Sequence, residues 1–263
     1  KNPVLLAAMG WLERAAYKNA ERCIALAPGI AEGIAKHIPD DRVNMIPNGC
    51  DIDFFRNGAR DAWRPDTCQT DDFLAIFAGT HGQANGLHAL IDIGAELQRR
   101  GRRNIKLLLV GDGKQKAALQ KRVADENIET VIFHDNIPKY RIAGLLASAN
   151  VGLQILANVP AFYYGTSPNK FFDYLSAGLP VVTNYPGWVA DMITEHDCGV
   201  GIPAEDAIAF ANALELLADA RTRCEQMGIR ARQLAETLFD RDKLSDQFVQ
   251  VMEIAGSAGV LKS

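Results

Sequence analysis

An α/β fold, with helices on both faces of a parallel sheet, is what this sequence predicts. Three observations carry that expectation. From Phe73 to Asp219 short apolar runs alternate with longer amphipathic segments, the pattern of strand-helix-strand units covered on both sides. Gly, Asn and Pro stand between these runs, as turn chemistry requires. Of the 263 residues, 48% are hydrophobic, enough to furnish a sizeable core.

Asn2-Pro3 reads as a cap followed by proline at the first helical position, opening an amphipathic helix to about Ala20. The apolar strand Cys23 to Ala27 follows, then a turn at Pro28-Gly29, a helix to about His37, the strand Val43 to Ile46 and a turn at Pro47-Asn48-Gly49. This α-β-α-β piece is too small to enclose a three-layer core by itself and looks like the tail of something larger. Residues 50–71, with Arg56-Asn57-Gly58, Pro65 and several Asp, have the polar composition of an interdomain connection.

The alternating region then predicts strands at 73–78, 105–110, 130–134, 150–155, 180–183 and 199–202. Helices are expected at 86–100, 114–126, 139–148, 168–177, near 187–194 and at 206–219. Residues 149–165 lack charge, yet Asn150, Gln154, Asn158 and Pro160 make them a strand followed by a loop rather than a membrane span. Helices at 221–237 and 241–255 have no strand between them and are expected to pack outside the sheet.

Charge and cysteine content exclude several classes. The formal net charge is −4, so no basic field argues for nucleic acid. Arg99, Arg100, Arg102 and Arg103 surround Gly101 and read as a solvated helix end. Five scattered cysteines without C-x-x-C spacing suit neither a disulfide framework nor zinc, and point to a reducing cytoplasm. His37, His88, His134 and His196 lack metal-site spacing, so no metal is expected.

Chemistry concentrates at the predicted strand ends, where ligands of such sheets collect. Gly79-Thr80-His81-Gly82-Gln83-Ala84-Asn85-Gly86 has three glycines that let backbone approach a bulky anion, without the G-x-G-x-x-G spacing of a dinucleotide fingerprint. His81 is either a phosphate ligand or acid, or an ordinary hydrogen-bonded loop histidine. Gly111-Asp112-Gly113 is a tight turn that needs no ligand. Asp135-Asn136-Ile137-Pro138 offers backbone groups that could read the edge of a base. Tyr163 and Tyr164 would line a sugar site or cover the core.

The most informative stretch is 164–180, Tyr-Gly-Thr-Ser-Pro-Asn-Lys-Phe-Phe-Asp-Tyr-Leu-Ser-Ala-Gly-Leu-Pro. Ser167 is expected to cap a helix whose first residue is Pro168, and the N–H groups that follow form an anion site. Lys170 puts a cation on the first turn, where the helix dipole favours an anion, so it wants an anionic partner. Asp173 lies three residues on. The alternative is a capped helix with a surface ion pair between these two.

Four segments, in order, resemble one family. Ile46-Pro47-Asn48-Gly49-Cys50-Asp51 is similar to the I-P-N-G-V-D hinge turn of the retaining group 1 glycosyltransferases, glycosyltransferase family four, of GT-B fold. Val110-Gly111-Asp112-Gly113, Ser167 to Lys170 with Phe172-Asp173-Tyr174, and Ala177 to Val182 resemble its successive donor-domain signatures. The resemblance covers nearly the whole chain and implies two Rossmann-like domains, of which this chain holds the second plus a short remnant of the first. Residues 1–49 would be the last elements of the N-terminal acceptor domain and 50–71 the interdomain linker. Residues 72–237 would be the nucleotide-sugar donor-binding domain, and 238–263 the C-terminal helix crossing back.

The resemblance also implies roles. Asp173 matches the acidic residue that binds the ribose hydroxyls, where most relatives have Glu. Lys170, as the catalytic cation, and the backbone of Ser167, Pro168, Asn169 and Phe171 would face the diphosphate. Gly79, Thr80, His81 and Gly82 would form the loop that approaches it, and Asn136 and Ile137 would meet the base. Thr80 and Asn85 stand where many relatives carry Arg and Lys, and Gly165 where the first acidic residue of E-x7-E falls. In these departures the chain resembles a branch of bacterial cell-surface polysaccharide assembly, with Lys170 replacing the missing basic pair.

The implied activity is transfer of a sugar from a nucleoside diphosphate, UDP above others, to a glycan or lipid-linked acceptor, without a cofactor. The implied partners are donor, acceptor and the absent N-terminal domain. The full-length enzyme would be cytoplasmic, associating peripherally with the inner face of the membrane. This chain alone is expected to bind donor without efficient turnover. An epimerase of the same architecture, converting donor without acceptor, and a non-catalytic nucleotide-sugar-binding module share these residues.

Overall fold

The computed structural model describes residues 2–260. Lys1 and residues 261–263, at the ends of the expected segments 1–49 and 238–263, lie outside the described residues. The chain opens with α1 (Pro3–Asn19), β1 (Cys23–Ala25), α2 (Pro28–Ala35) and β2 (Val43–Met45). Asn2 caps α1 as its sequence requires, its Oδ1 accepting the Val4 N–H at 3.0 Å. β1 and β2 pair in parallel as a separate two-stranded sheet over a small core of Cys23, Ala25, Ile34 and Ile38. Among the described residues α1 buries none of its side chains, leaving Leu5, Trp11 and Leu12 exposed.

The next segment departs from expectation. The polar stretch after residue 50 contains a helix, α3 (Ile52–Gly58), which buries Phe55 and packs against elements further along the chain. Its apolar residues are too few for a periodic signal, and Asp, Arg and Asn on its outer face made it read as linker.

Six parallel strands form the main sheet: β3 (Phe73–Ala78), β4 (Ile105–Val110), β5 (Val131–His134), β6 (Val151–Gln154), β7 (Val181–Thr183) and β8 (Gly199–Gly201). They are arranged β5-β4-β3-β6-β7-β8. Chain direction across the sheet therefore reverses between β3 and β6, the topological switch point where ligands of doubly wound sheets bind. Residues of the central strands alternate between two cores. Phe73, Ala75 and Phe77 with Ile105, Leu107 and Leu109 face one side, and Leu74, Ile76, Leu108 and Val110 face the other. Each such buried large apolar side chain contributes about 1.5–3 kcal/mol.

Covering helices are α4 (His88–Arg99), α5 (Lys116–Asp125), α6 (Lys139–Ser148), α8 (Asn169–Ala177), α9 (Trp188–Glu195) and α10 (Ala207–Asp219), with α7 (Pro160–Gly165) between β6 and α8. α7 falls where the sequence read only a loop; Pro160 starts it, but six residues are too short to show periodicity. α11 (Arg221–Leu238) and α12 (Arg241–Val260) follow without a strand, as expected. The arginine cluster is not simply solvated. Arg100 pairs with Glu96 and Glu215, and Arg102 with Asp219, at 2.6–2.7 Å, tying the end of α4 to α10. Among the described residues no helix is long and apolar enough to cross a membrane.

At the switch point the β3–β6 ladder ends at Ile76 and Gly152. Tyr174, fully buried on α8, bridges the gap: its hydroxyl accepts the Ala78 N–H at 3.1 Å and faces Leu153 O at 3.4 Å. The ring lies so close to β6 that a Cβ on Gly152 would sit 2.4 Å from its Cγ. Tyr174→Phe leaves the ring and deletes the acceptor, so it should lower stability by about 1–3 kcal/mol. Urea denaturation should show a lower midpoint with unchanged slope; a midpoint equal to the unsubstituted protein's would rule out the bridge.

Candidate functional site

Three strand-end loops meet beside the start of α8. The Gly79 N–H donates to Val110 O at 2.9 Å, and Gly111, at φ +140, comes so close that a Cβ there would sit 2.0 Å from Gly79 O. The Gly111 N–H in turn donates to His134 O at 3.2 Å. Glycine at position 111 is thus a steric requirement for joining the loops. Lys116, buried at the start of α5, adds the second tie. Its Nζ donates to Gly111 O at 2.9 Å and to Asp135 Oδ1 at 2.6 Å. In the sequence this lysine is indistinguishable from a surface one.

A cleft of about 250 Å³ opens among these loops, with Gly79, Val110, Asn136, Ile137 and Asp173 on its walls and Lys139 at its mouth. Asn136, Ile137, Gly79 and Asp173 therefore line one cleft. Burial pushes the Asp173 carboxyl up to about 6, with Asp51 adding to the rise and Lys139 and Arg241 opposing it.

Lys170 lies one turn before Asp173, on the far side of Gly79. A Cβ on Gly79 would stand 3.2 Å from Lys170 Cε, so the missing side chain makes room for the lysine stem. Its ammonium sits 4.9 Å from the centre of the Phe77 ring and donates to Asn85 Oδ1 at 3.0 Å. Burial pushes this ammonium down to about 8. Among the described residues no carboxylate is ion-paired with Lys170 and no cation with Asp173, so the surface ion pair between them does not form.

The helix start differs from expectation in one respect. Ser167 does not cap α8: Pro168 occupies the N-cap position and Asn169 is the first helical residue. The Ser167 hydroxyl instead accepts the Asn48 N–H at 3.1 Å, and Asn48 Nδ2 donates to Ser167 O at 2.6 Å. Proline at the cap offers no side-chain acceptor, so among the described residues the Asn169 and Lys170 N–H groups have no partner, while the Phe171 N–H donates to Pro168 O at 3.0 Å. Cys50 extends the same seam, its N–H donating to Phe239 O at 2.6 Å and its carbonyl accepting the Arg241 N–H at 3.1 Å. The Pro-Asn-Gly turn was legible; that Asn48 holds the start of α8 was not, because 119 residues separate the partners.

The remaining candidates are placed less directly. Thr80 is exposed, its carbonyl accepting from Asn85 Nδ2 at 2.7 Å, and Gly82 leads into the turn at Gln83–Asn85. His81 has its ring fully buried between Phe77 and Phe133 rather than facing the cleft, and its backbone bonds Asp112 and Gln115. Burial, reinforced by nearby Lys116 and opposed by Asp112, holds its imidazole below the usual range. Phe171 is fully buried against Phe172, and its N–H is held by Pro168 O at 3.0 Å, so it shapes the helix start rather than meeting a ligand directly.

Comparison with known proteins places this geometry. Residues 72–220, more than half of the chain, match the family described as glycosyl transferases group 1. The chain is 27% identical over 199 residues to the D-inositol 3-phosphate glycosyltransferase of Nocardia farcinica, covering 73% of this chain and 43% of that one. Its backbone resembles sucrose-phosphate synthase of Thermosynechococcus elongatus with a TM-score of 0.76 at 20% identity, over 94% of this chain and 61% of that one. It also resembles Anabaena HepE in complex with UDP, with a TM-score of 0.74 at 17% identity, over 90% and 65%. The chain thus spans from under half to about two thirds of the length of these relatives. With a helix-flanked parallel sheet that matches GT-B structures and a family match over most of it, the chain belongs to the group 1 glycosyltransferases.

Proposed function

We propose that this chain is the donor-binding part of a retaining glycosyltransferase that takes its sugar from a nucleoside diphosphate. The observation that carries this is the pair Lys170 and Asp173: a half-buried cation and a half-buried carboxylate, unpaired with each other, flanking Gly79 at the switch point. The Lys170 side chain and the backbone N–H groups of Asn169 and Lys170 at the start of α8 suit a diphosphate, stabilising it as the leaving group. Asp173 suits the ribose hydroxyls, and the backbone at Asn136 and Ile137 suits the base. The roles of Ser167, Pro168, Asn169, Phe171, Gly79, Thr80, His81 and Gly82 are then those of scaffold and backbone around the phosphates. UDP is the favoured nucleotide, supported by the Anabaena HepE complex with UDP.

The exposed face of α1 and the edges of the β1–β2 sheet, unpaired among the described residues, support assignment of residues 1–49 to an acceptor domain. In such a two-domain enzyme the seam at Asn48 to Asp51 would be the hinge, and α12 would cross back. The acceptor would be a cell-surface glycan or lipid-linked intermediate, reached at the inner face of the membrane. No cofactor or metal enters this scheme, and the chain by itself would bind donor without efficient transfer.

Thermal-shift screening of UDP-, GDP- and ADP-sugars should single out the UDP-sugars, since a ligand of the native state raises its apparent stability. Calorimetry should then show Lys170→Ala weakening donor binding by about tenfold or more, the worth of one hydrogen bond to a charged group. Asp173→Ala should weaken it too. Unchanged affinity in both variants would sink the assignment.

The pH dependence follows from the two shifted groups. The diphosphate needs charged Lys170, which is lost as pH rises through about 8. The ribose needs ionised Asp173, which is lost as pH falls through about 6. Affinity for a nucleoside-diphosphate sugar should therefore be highest between these values. Lys170→Ala should flatten the alkaline limb and Asp173→Asn the acid limb; limbs that persist in both would assign them elsewhere.

A further inference from the structure

We propose that Asn85 is a positioning residue for the cation of this site, fixing the Lys170 ammonium in the direction of the donor diphosphate. This rests on the assignment of Lys170 to the diphosphate.

The lysine stem is confined on three sides. Phe77 lies under the ammonium, Gly79 leaves just the space for Cε, and Asn85 Oδ1 takes one ammonium proton at 3.0 Å. The orientation of the Asn85 amide is fixed by its partners. Lys170 can only donate and the Thr80 carbonyl can only accept, so the oxygen must face the ammonium and the NH₂ must face Thr80 O, 2.7 Å away. One neutral side chain thus joins the glycine loop to the first turn of α8.

Asn85 is itself held in place. Its N–H donates to Gly82 O, and the preceding carbonyl, Ala84 O, accepts the Ala157 N–H at 2.9 Å. The following residue, Gly86, turns left-handed at φ +58 and approaches so closely that a Cβ would sit 2.8 Å from Ala157 Cα. The segment it abuts is held in turn by Asn184, whose side chain bonds both Leu156 N and Leu156 O at 3.0 Å. The acceptor that meets Lys170 is therefore anchored through backbone to the end of β6.

A neutral acceptor suits this task better than a carboxylate would. It takes up one of three ammonium protons and leaves the full positive charge and two protons for an anion. An aspartate there would neutralise the cation before the diphosphate arrives and would repel that diphosphate afterwards. Deleting the acceptor removes a hydrogen bond to the charged form, so it makes Lys170 easier to deprotonate as well as less well aimed.

The test titrates the full 263-residue chain with UDP from pH 7.5 to 9.5, above the last phosphate ionisation, for the unsubstituted protein, Asn85→Ala, Lys170→Ala and the double variant. Asn85→Ala should weaken binding about tenfold at pH 7.5 and move the alkaline loss of affinity to lower pH. In the Lys170→Ala background the same substitution should change nothing. Asn85→Asp should move the alkaline loss the other way, to higher pH, while weakening binding at pH 7.5. Urea midpoints confirm that each variant is folded. A tenfold effect that persists without Lys170 would show a role through the Thr80 loop alone and overturn the proposal, as would an unmoved alkaline limb in both Asn85 variants. If Lys170→Ala binds like the unsubstituted protein, the assignment of Lys170 fails first, and this proposal with it.

Discussion

The parting of β6 from β3 is the constraint on which the candidate site depends. Two parallel strands that separate at their carboxyl ends leave backbone groups without ladder partners, and a buried N–H without an acceptor is costly. Here α8 supplies the substitute from Tyr174, whose hydroxyl reaches Ala78 while its ring lies on the bare backbone of Gly152. That requirement fixes the height and rotation of α8 against the sheet. Once it is fixed, Lys170 must lie one turn earlier beside Gly79, and Asp173 next to Tyr174 must face the cleft.

Electrostatics follow from the same placement. Lys170, on the first turn of α8, sits over Phe77, and Asp173, one turn on, lines the cleft; both lose water, neither forms an ion pair among the described residues, and Lys139 and Arg241 offset the burial of Asp173 only in part. Desolvation then raises the acid and lowers the base. Two charges left in that state are poor economy for stability, and shifted groups of this kind concentrate at functional clefts. The surrounding arginines and acids behave in the opposite way: Arg100, Arg102 and Arg122 are all matched by carboxylates and serve as ties between helices.

Rigidity comes from contacts distant in sequence. Asn48 and Cys50 tie the seam between the small sheet and the large one to the start of α8 and to the junction of α11 and α12. Lys116 ties the loops after β4 and β5, and Asn184 the segment after β6. The cleft walls are thus strand ends held by side chains rather than free loops, which is the arrangement a binding site needs to be preorganised.

Much of the scaffold was legible in the chain itself. Apolar runs bounded by turn residues are local, so every strand of the main sheet and its longer helices could be read, as could the four loops and the odd cation at Lys170. Short elements were not: α3 and α7 have too few residues for periodicity. Side-chain direction was also hidden. His81 looked available and is buried, Ser167 looked like a cap and instead holds Asn48, and Asn85 looked like the absence of a lysine and proves to be its acceptor. The sequence by itself determined the parallel α/β architecture, the residues at the strand ends and their chemical types, because these depend on spacing within one element. Only the tertiary structure decided which of them meet, which are desolvated and which are paired, because those properties belong to contacts between residues dozens to more than a hundred positions apart.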